Sequence, residues 1–217
     1  MLRLDLVFFV IMKKIKKFVL KNLFLIVFLL IMTMFIILFR NSIKPVLWNI
    51  DYFVEKYIVG KRNDTITIIM KVFSFLGSAY VLIPIAIIFL IIDKFKKKSI
   101  FVASNLTVVF LFNLIIKTIV KRERPMSMII SERGYSFPSG HATTNMAFYG
   151  FLLYLVYKYI KNKALKWSIC VVLGLLILFI GFSRIYLGAH YFSDVCGGFI
   201  IGICYLVILI KIFNFKE

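Results

Sequence analysis

The chain is 217 residues long, 62% hydrophobic, with a mean hydropathy of +0.99 and a formal net charge of +19. Too few polar side chains are available to cover a water-soluble globular domain of this size, so that class is excluded. The positive surplus would suit a nucleic-acid partner, but its placement along the chain argues for a membrane protein instead.

A bilayer core about 30 Å thick is crossed by about 20 mainly apolar residues in a helix. Six stretches reach that length, near Phe18–Phe39, Ile66–Ile92, Ser99–Val120, Ala142–Tyr159, Trp167–Ile185 and Ala189–Phe213. The expected fold is all-α, a polytopic membrane helical bundle with about six transmembrane helices. Met1–Met12 is apolar but too short to span, and residues 1–17 are expected to form a cytoplasmic N-terminal segment. The lysines that follow, ahead of a long apolar run, resemble a signal sequence. That run is too long and lacks a small-residue cleavage site, which predicts an uncleaved first span. With short loops, no internal repeat and no low-complexity linker, residues 18–217 read as a single domain.

The longest non-spanning piece is Arg40–Thr65, in which Val46, Leu47, Ile50, Phe53, Val54, Tyr57 and Ile58 recur at helical spacing while Asp51, Glu55 and Lys56 take other positions. Such a helix either lies in the membrane interface or packs on the bundle. In the second span, Lys71 can snorkel to the surface, and Gly77 and Pro84 allow close packing and a kink. Asn105 and Asn113, two turns apart on the third span, suit interhelical hydrogen bonding better than catalysis. Cys170, Cys196 and Cys204 fall in apolar segments, and their spacing offers neither a metal site nor a disulfide framework.

Lysines cluster in alternate loops: Lys13, Lys14, Lys16, Lys17 and Lys21 before the first span, Lys94, Lys96, Lys97 and Lys98 after the second, and Lys158, Lys161, Lys163 and Lys166 after the fourth. Lys211 and Lys216 follow the sixth. The positive-inside rule puts these loops and both termini in the cytoplasm. It also explains the net charge without nucleic acid.

Three strings then fall on the outer side: Lys117-x6-Arg124-Pro125, Pro138-Ser139-Gly140-His141, and Ser183-Arg184-x5-His190-x3-Asp194. They contain both of the chain's 2 histidines, and their basic residues, with Lys121, Arg122 and Arg133, run against the topological bias. In the third string, Gly188 offers a break and His190 is expected in the first turn of the sixth span, with Asp194 at i+4 on the same face. A carboxylate there can fix the tautomer of the imidazole and leave the other ring nitrogen as a nucleophile, although the same pair can be a structural hydrogen bond. In the second string, Ser139 caps the fourth span or donates to a phosphate oxygen, Gly140 lets backbone approach a ligand, and the helix N-terminus favours an anion. His141 is placed to protonate a leaving oxygen, unless the segment is an ordinary cap with an incidental histidine. Lys117, Arg124 and Arg184 suit a phosphate cradle or, more simply, contact with lipid headgroups.

Taken together, the three strings resemble the motifs of the type 2 phosphatidic acid phosphatase superfamily, which includes lipid phosphate phosphatases, bacterial acid phosphatases and vanadium haloperoxidases. Lys117, Arg124 and Pro125 match the first motif, Pro138 through His141 the second, and Ser183, Arg184, His190 and Asp194 the third, with no motif position departing from the pattern. The resemblance implies that His190 is the nucleophile forming a phosphohistidine, that Asp194 orients it, and that His141 protonates the leaving group and then helps activate water. It implies that Lys117, Arg124, Ser139, Gly140 and Arg184 hold the phosphate, with no metal or other cofactor. The expected activity is hydrolysis of a terminal phosphate on a membrane lipid, at the outer face of a cytoplasmic membrane. Undecaprenyl diphosphate is expected ahead of phosphatidylglycerol phosphate and phosphatidic acid, and Met126, Met128, Ile129 and Ile130 suggest an apolar lip for the lipid chain. Transfer to a hydroxyl acceptor, and non-catalytic binding or transport of anionic lipid, are the competing readings. The bilayer and the lipid phosphate are the expected partners, and oligomeric state is left open.

Overall fold

In a computed structural model of the protein, residues 44–91 and 96–216 are described, and the helices there belong to one compact unit, Pro45–Glu217. Seven helices occur among the described residues: α1 Lys44–Val59, α2 Asp64–Leu76, α3 Ala79–Ile91, α4 Lys96–Val120, α5 Gly140–Tyr159, α6 Lys163–Tyr186 and α7 Phe192–Lys216. No strand is found among them. The expected first span, the N-terminal lysines and the lysines at 94–98 lie outside the residues whose side chains are described. Four segments, Asp64–Ile91, Ile100–Val120, Lys163–Tyr186 and Phe192–Asn214, are long and apolar enough to cross a membrane.

The expected second span is two helices. α2 ends at Gly77 and α3 begins at Ala79, with Pro84 inside it. A break in an apolar segment frees carbonyls that lipid cannot satisfy, and α5 supplies the donors: Asn145 donates to the Gly77 carbonyl (2.9 Å) and Tyr149 to that of Leu76 (2.9 Å). Gly77 has a second duty, since a Cβ there would fall 2.5 Å from Ile180 of α6.

α5 is the central helix, packing chiefly on α6 and α7 and also on α4. Glycines of α7 permit the approach: a Cβ on Gly198 would lie 2.9 Å from the Ser139 carbonyl, and one on Gly202 would lie 2.7 Å from Met146. The two asparagines of α4 bind across to α5 as expected, Asn105 to the Ala147 carbonyl (2.9 Å) and Asn113 to the Thr143 hydroxyl (3.1 Å). One buried cluster, with Leu82, Val102, Phe148, Phe151, Ile177, Ile180 and Leu209, fills the middle of the bundle. A second, with Ile58, Met70, Ala142, Ile185, Leu187 and Val195, lies beneath the site end. Outward positions on α2, α3, α4, α6 and α7 carry large apolar side chains such as Ile68, Ile91, Phe110, Val172 and Ile200, the pattern of helices solvated by lipid. The chain is a multi-pass membrane protein.

One expectation is corrected here. α7 starts at Phe192, so His190 precedes the last helix instead of occupying its first turn. The reason is a Schellman ending of α6: the N–H of Gly188 (φ +69°) bonds the Ile185 carbonyl and that of Ala189 bonds the Arg184 carbonyl, both at 3.0 Å. His190 is thereby held in the connection, its own N–H also donating to the Arg184 carbonyl (3.2 Å). α1 packs Ile58 and Val54 against the second cluster, leaves Trp48, Ile50, Phe53 and Tyr57 exposed, and buries Asp51.

Gly188 and Gly134 both have positive φ, but a Cβ on Gly188 would lie 2.7 Å from the Ser127 carbonyl, whereas one on Gly134 meets nothing within 4 Å. Gly134→Ala is expected to cost only the left-handed backbone penalty of about 1–2 kcal/mol. Gly188→Ala adds a backbone clash and is expected to lower the melting temperature in detergent by clearly more, a ranking that equal melting temperatures would overturn.

Candidate active site

Antiparallel connection brings the C-terminal ends of α4 and α6 and the N-terminal ends of α5 and α7 to one end of the bundle, and all three strings meet there. At the other end, Lys158 of α5 and Tyr154 both bond Asn214 of α7.

Asp194 is in the first turn of α7, fully buried, where the helix dipole favours a carboxylate. Its Oδ2 accepts the N–H of Tyr191 (2.9 Å), the backward reach of a capping box from the third helical residue to the cap. The same oxygen accepts the Ser136 hydroxyl and lies 3.7 Å from Nδ1 of His190. Ser136 Oγ stands 3.4 Å from that nitrogen and thus bridges the pair. Oδ1 accepts Nη1 of Arg122 at 2.6 Å.

On the other side of the ring, Nε2 of His190 lies 3.2 Å from Nη1 of Arg124. Arginine has only donors, so Nε2 accepts, and the proton of the neutral ring is on Nδ1, facing Asp194. The lone pair of Nε2 therefore points towards the cations. Arg124 is itself aimed by backbone carbonyls, donating from Nε to Gly134 (3.0 Å), from Nη1 to Ala189 (2.7 Å) and from Nη2 to Arg133 (3.0 Å). Lys117 donates to the carbonyls of Tyr135 (2.5 Å) and Ser136 (3.3 Å). The loop from Lys121 to Ser139 is thus tied to α4 and to the α6–α7 connection.

Ser139 is the N-cap of α5, its Oγ accepting the Ala142 N–H at 3.4 Å, and its own N–H donates to the Asp194 carbonyl at 3.1 Å. The second and third strings are joined by that bond. Gly140 is barely crowded by protein, a Cβ there meeting only Asn113 Oδ1 at 3.5 Å. Ser183 bonds back to the Ile180 carbonyl within α6 (2.6 Å). Arg184, 1% exposed, donates from Nη1 to Ser74 and from Nη2 to Glu132, while its buried Nε–H has no partner.

His141 opens onto a cleft of about 370 Å³ that Lys71, Ser74, Ser78, Tyr80, Ile130, Glu132 and Arg184 help to line. Lys71, an exposed residue, is part of this lining. Among the proposed lip residues, Ile130 lines the cleft, and Met126 and Ile129 are exposed.

Four residues of this end were not singled out for the site by sequence: Asp51, Ser136, Glu132 and Arg122, the last noted only as a basic residue on an unexpected side. Glu132 pairs with Arg184 and sits 3.9 Å from Arg124, so a carboxylate stands between two of the expected phosphate-binding arginines.

A buried histidine between a carboxylate and a set of cations, with a second histidine on an adjoining cleft, is an arrangement of side chains whose chemistry suits phosphoryl transfer, here in a helical membrane protein. Residues 97–217 match the model of the PAP2 superfamily. The chain is 30% identical over 175 residues to phosphatidylglycerophosphatase B of Bacillus subtilis, covering 76% of this chain and 84% of that protein. It is 25% identical over 163 residues to undecaprenyl-diphosphatase of Sulfolobus acidocaldarius, covering 71% and 75% of the two chains. The crystal structure of a transmembrane PAP2-type phosphatidylglycerolphosphate phosphatase from Bacillus subtilis superposes with a TM-score of 0.75 at 23% identity, over 88% of this chain and 96% of that one. That of Aquifex aeolicus LpxE gives 0.60 at 24%, over 74% and 94%. The chain belongs to the PAP2 superfamily, and its class is that of the phosphate hydrolases.

The imidazole of His190 is pushed down to about 4: burial is the largest cause, Asp194 opposes it, and Lys117 and Arg124 reinforce it. An unfolded histidine titrates near 6.5. Between those values the unfolded chain binds a proton that the folded chain refuses, so folding stability falls as pH drops from about 6.5 to 4. Wild type is accordingly expected to lose more melting temperature than His190→Gln between pH 7 and 4.5. A loss no greater than the variant's would put the ring in its ordinary range.

Proposed function

We propose that the protein is a lipid phosphate or diphosphate phosphatase working through a phosphohistidine on His190. The observation that carries this reading is the tautomer: with Nδ1–H towards Asp194 and the Nε2 lone pair towards Arg124, the ring is neutral, oriented and aimed where an anion would be held. Nε2 attacks phosphorus, the N–P bond forms, and the bond to the leaving oxygen breaks. His141 gives that oxygen its proton. His141 then takes a proton from water as the water's oxygen attacks phosphorus, the N–P bond breaks, and phosphate leaves with His190 restored. Lys117, Arg124 and Arg184 balance the charge on the equatorial oxygens, the free Nε–H of Arg184 being one available donor. Ser139 and Gly140 supply the helix N-terminus, and the absence of a side chain on Gly140 suits close approach of an oxygen.

The lipid chain stays in the bilayer, entering past Met126, Met128, Ile129 and Ile130, while the leaving group lies in the cleft beside His141. Sequence alone favoured undecaprenyl diphosphate. The two relatives divide the choice, one named for phosphatidylglycerophosphate and the other for undecaprenyl diphosphate, with the former the more similar. We take these two as the substrate candidates, with phosphatidic acid third.

With a chelator present, purified protein is expected to release phosphate from at least one of these three lipids assayed side by side. His190→Ala should abolish release, and acid-quenched reactions should trap an acid-labile phosphoenzyme in wild type only. His141→Ala should lose about 10²–10⁴-fold with a poor leaving group and much less with a good one. Full activity of His190→Ala would end the nucleophile assignment, and equal losses on both leaving groups would end that of the acid.

The same reading sets the site at the outer face of a cytoplasmic membrane, both termini inside, supported by Lys158, Lys161, Lys163, Lys166 and Lys211 falling at the far end of α5–α7. In intact cells a membrane-impermeant thiol reagent is expected to label Arg133→Cys and spare Lys161→Cys, and the reverse pattern would invert the topology.

A further inference from the structure

We propose that Asp51 and Arg122 are positioning residues for the reaction, acting through the carboxylate of Asp194, and the inference rests on the phosphohistidine reading above. Neither is a named position of the three strings: Arg122 falls in the spacer of the first, and Asp51 comes from α1, a helix remote from them in sequence. Arg122 is forked between two carboxylates, Nη1 to Asp194 Oδ1 and Nη2 to Asp51 Oδ2, each at 2.6 Å, with side-chain exposures of 6%, 0% and 1% for Arg122, Asp194 and Asp51. Its guanidinium lies over the Tyr191 ring, 4.3 Å from the centroid. Ser193 closes the circuit: its N–H donates to Asp51 Oδ1 (2.8 Å), its hydroxyl lies 2.6 Å from Asp51 Oδ2, and Nη1 of Arg122 reaches Ser193 Oγ at 2.7 Å.

This geometry fixes a rotation that the site needs fixed. A carboxylate in the first turn of a helix can spin about its last bond, and either oxygen can then face the imidazole. Arg122 occupies Oδ1, leaving Oδ2 for Ser136, the Tyr191 N–H and His190. Asp51 in turn holds the guanidinium and joins α1 to the start of α7 through Ser193. Packing alone would not call for ions: replacing a buried pair by apolar side chains is often neutral or stabilising, and α1 already has Ile58 and Val54 against the second core.

The charged and titratable groups that act on His190 are Asp194, Lys117, Arg124 and His141. Arg122 and Asp51 are one step further out, so their removal should slow chemistry without removing the phosphate cradle.

The test compares Arg122→Gln, Arg122→Lys, Asp51→Asn, Asp194→Asn and His190→Ala in detergent, by steady-state phosphate release from phosphatidylglycerol phosphate and undecaprenyl diphosphate, by single-turnover phosphoenzyme formation, and by melting temperature. Arg122→Gln is expected to lower kcat and the phosphorylation rate about 10–100-fold with KM within about 3-fold, the range seen when an outer partner of a reacting group is lost. Arg122→Lys and Asp51→Asn should lie between it and wild type. In an Asp194→Asn background, Arg122→Gln should add less than about 3-fold, since a residue acting through Asp194 has nothing left to position. Should Arg122→Gln fail to fold, the isosteric Asp51→Asn and the charge-keeping Arg122→Lys decide the matter. Wild-type kcat in both, or full additivity of Arg122→Gln with Asp194→Asn, overturns the proposal. Activity surviving in His190→Ala would instead fail the phosphohistidine reading itself.

Discussion

A carboxylate with no access to water must be neutralised by its surroundings, and at Asp194 that demand draws in the two loops at this end of the bundle. The α6–α7 connection supplies the Tyr191 N–H and His190, and the α4–α5 loop supplies Arg122 near its start and Ser136 near its end. Losing any of them would leave part of a buried charge uncompensated, a far larger penalty than the net worth of one hydrogen bond. The site and the fold at this end of the bundle are therefore one arrangement.

That arrangement needs helices whose ends coincide, and small residues allow it. Gly198 and Gly202 let α7 close on α5 and Gly197 makes room for the Phe137 ring, so that the Ser139 N–H reaches the Asp194 carbonyl. The Schellman turn at Gly188 then returns the chain within a few residues of the end of α6, placing the backbone of His190 on the Arg184 carbonyl. Arg184 and, six positions later, His190 are linked by the helix ending itself. Fixing backbone in this way spares the side chains much of the entropy of being ordered on binding.

The helical, membrane-embedded class was legible because hydropathy reports burial in lipid directly, and the strings were legible because they combine residue types that apolar segments rarely contain. The helix-to-helix bonds of Asn105 and Asn113 were readable for the same reason. What escaped was of three kinds. The break of α2 from α3 was hidden because its freed carbonyls are met by Asn145 and Tyr149, some 70 positions away. The start of α7 was misplaced by three residues because a Schellman turn and an i+4 helical pair both bring His190 near Asp194. Asp51 and Ser136 were missed because a single aspartate or serine in a loop or amphipathic helix carries no signal until its distant partners are known. A weak trace existed for Arg122, a further arginine on the side where the charge rule expects few.

The outward aromatic face of α1 shows the same limit from the side of the solvent. In water, a helix bearing Trp48, Ile50, Phe53 and Tyr57 would hide them and expose Asp51. Here the surroundings of the bundle are lipid, in which an aromatic face costs nothing to expose and an unpaired carboxylate costs several kcal/mol. The polar residue must turn inward to find a partner, and Arg122 and Ser193 are the partners it finds. Amphipathic periodicity therefore identified the helix and left its orientation open, because the pattern records two faces without recording which solvent each one meets.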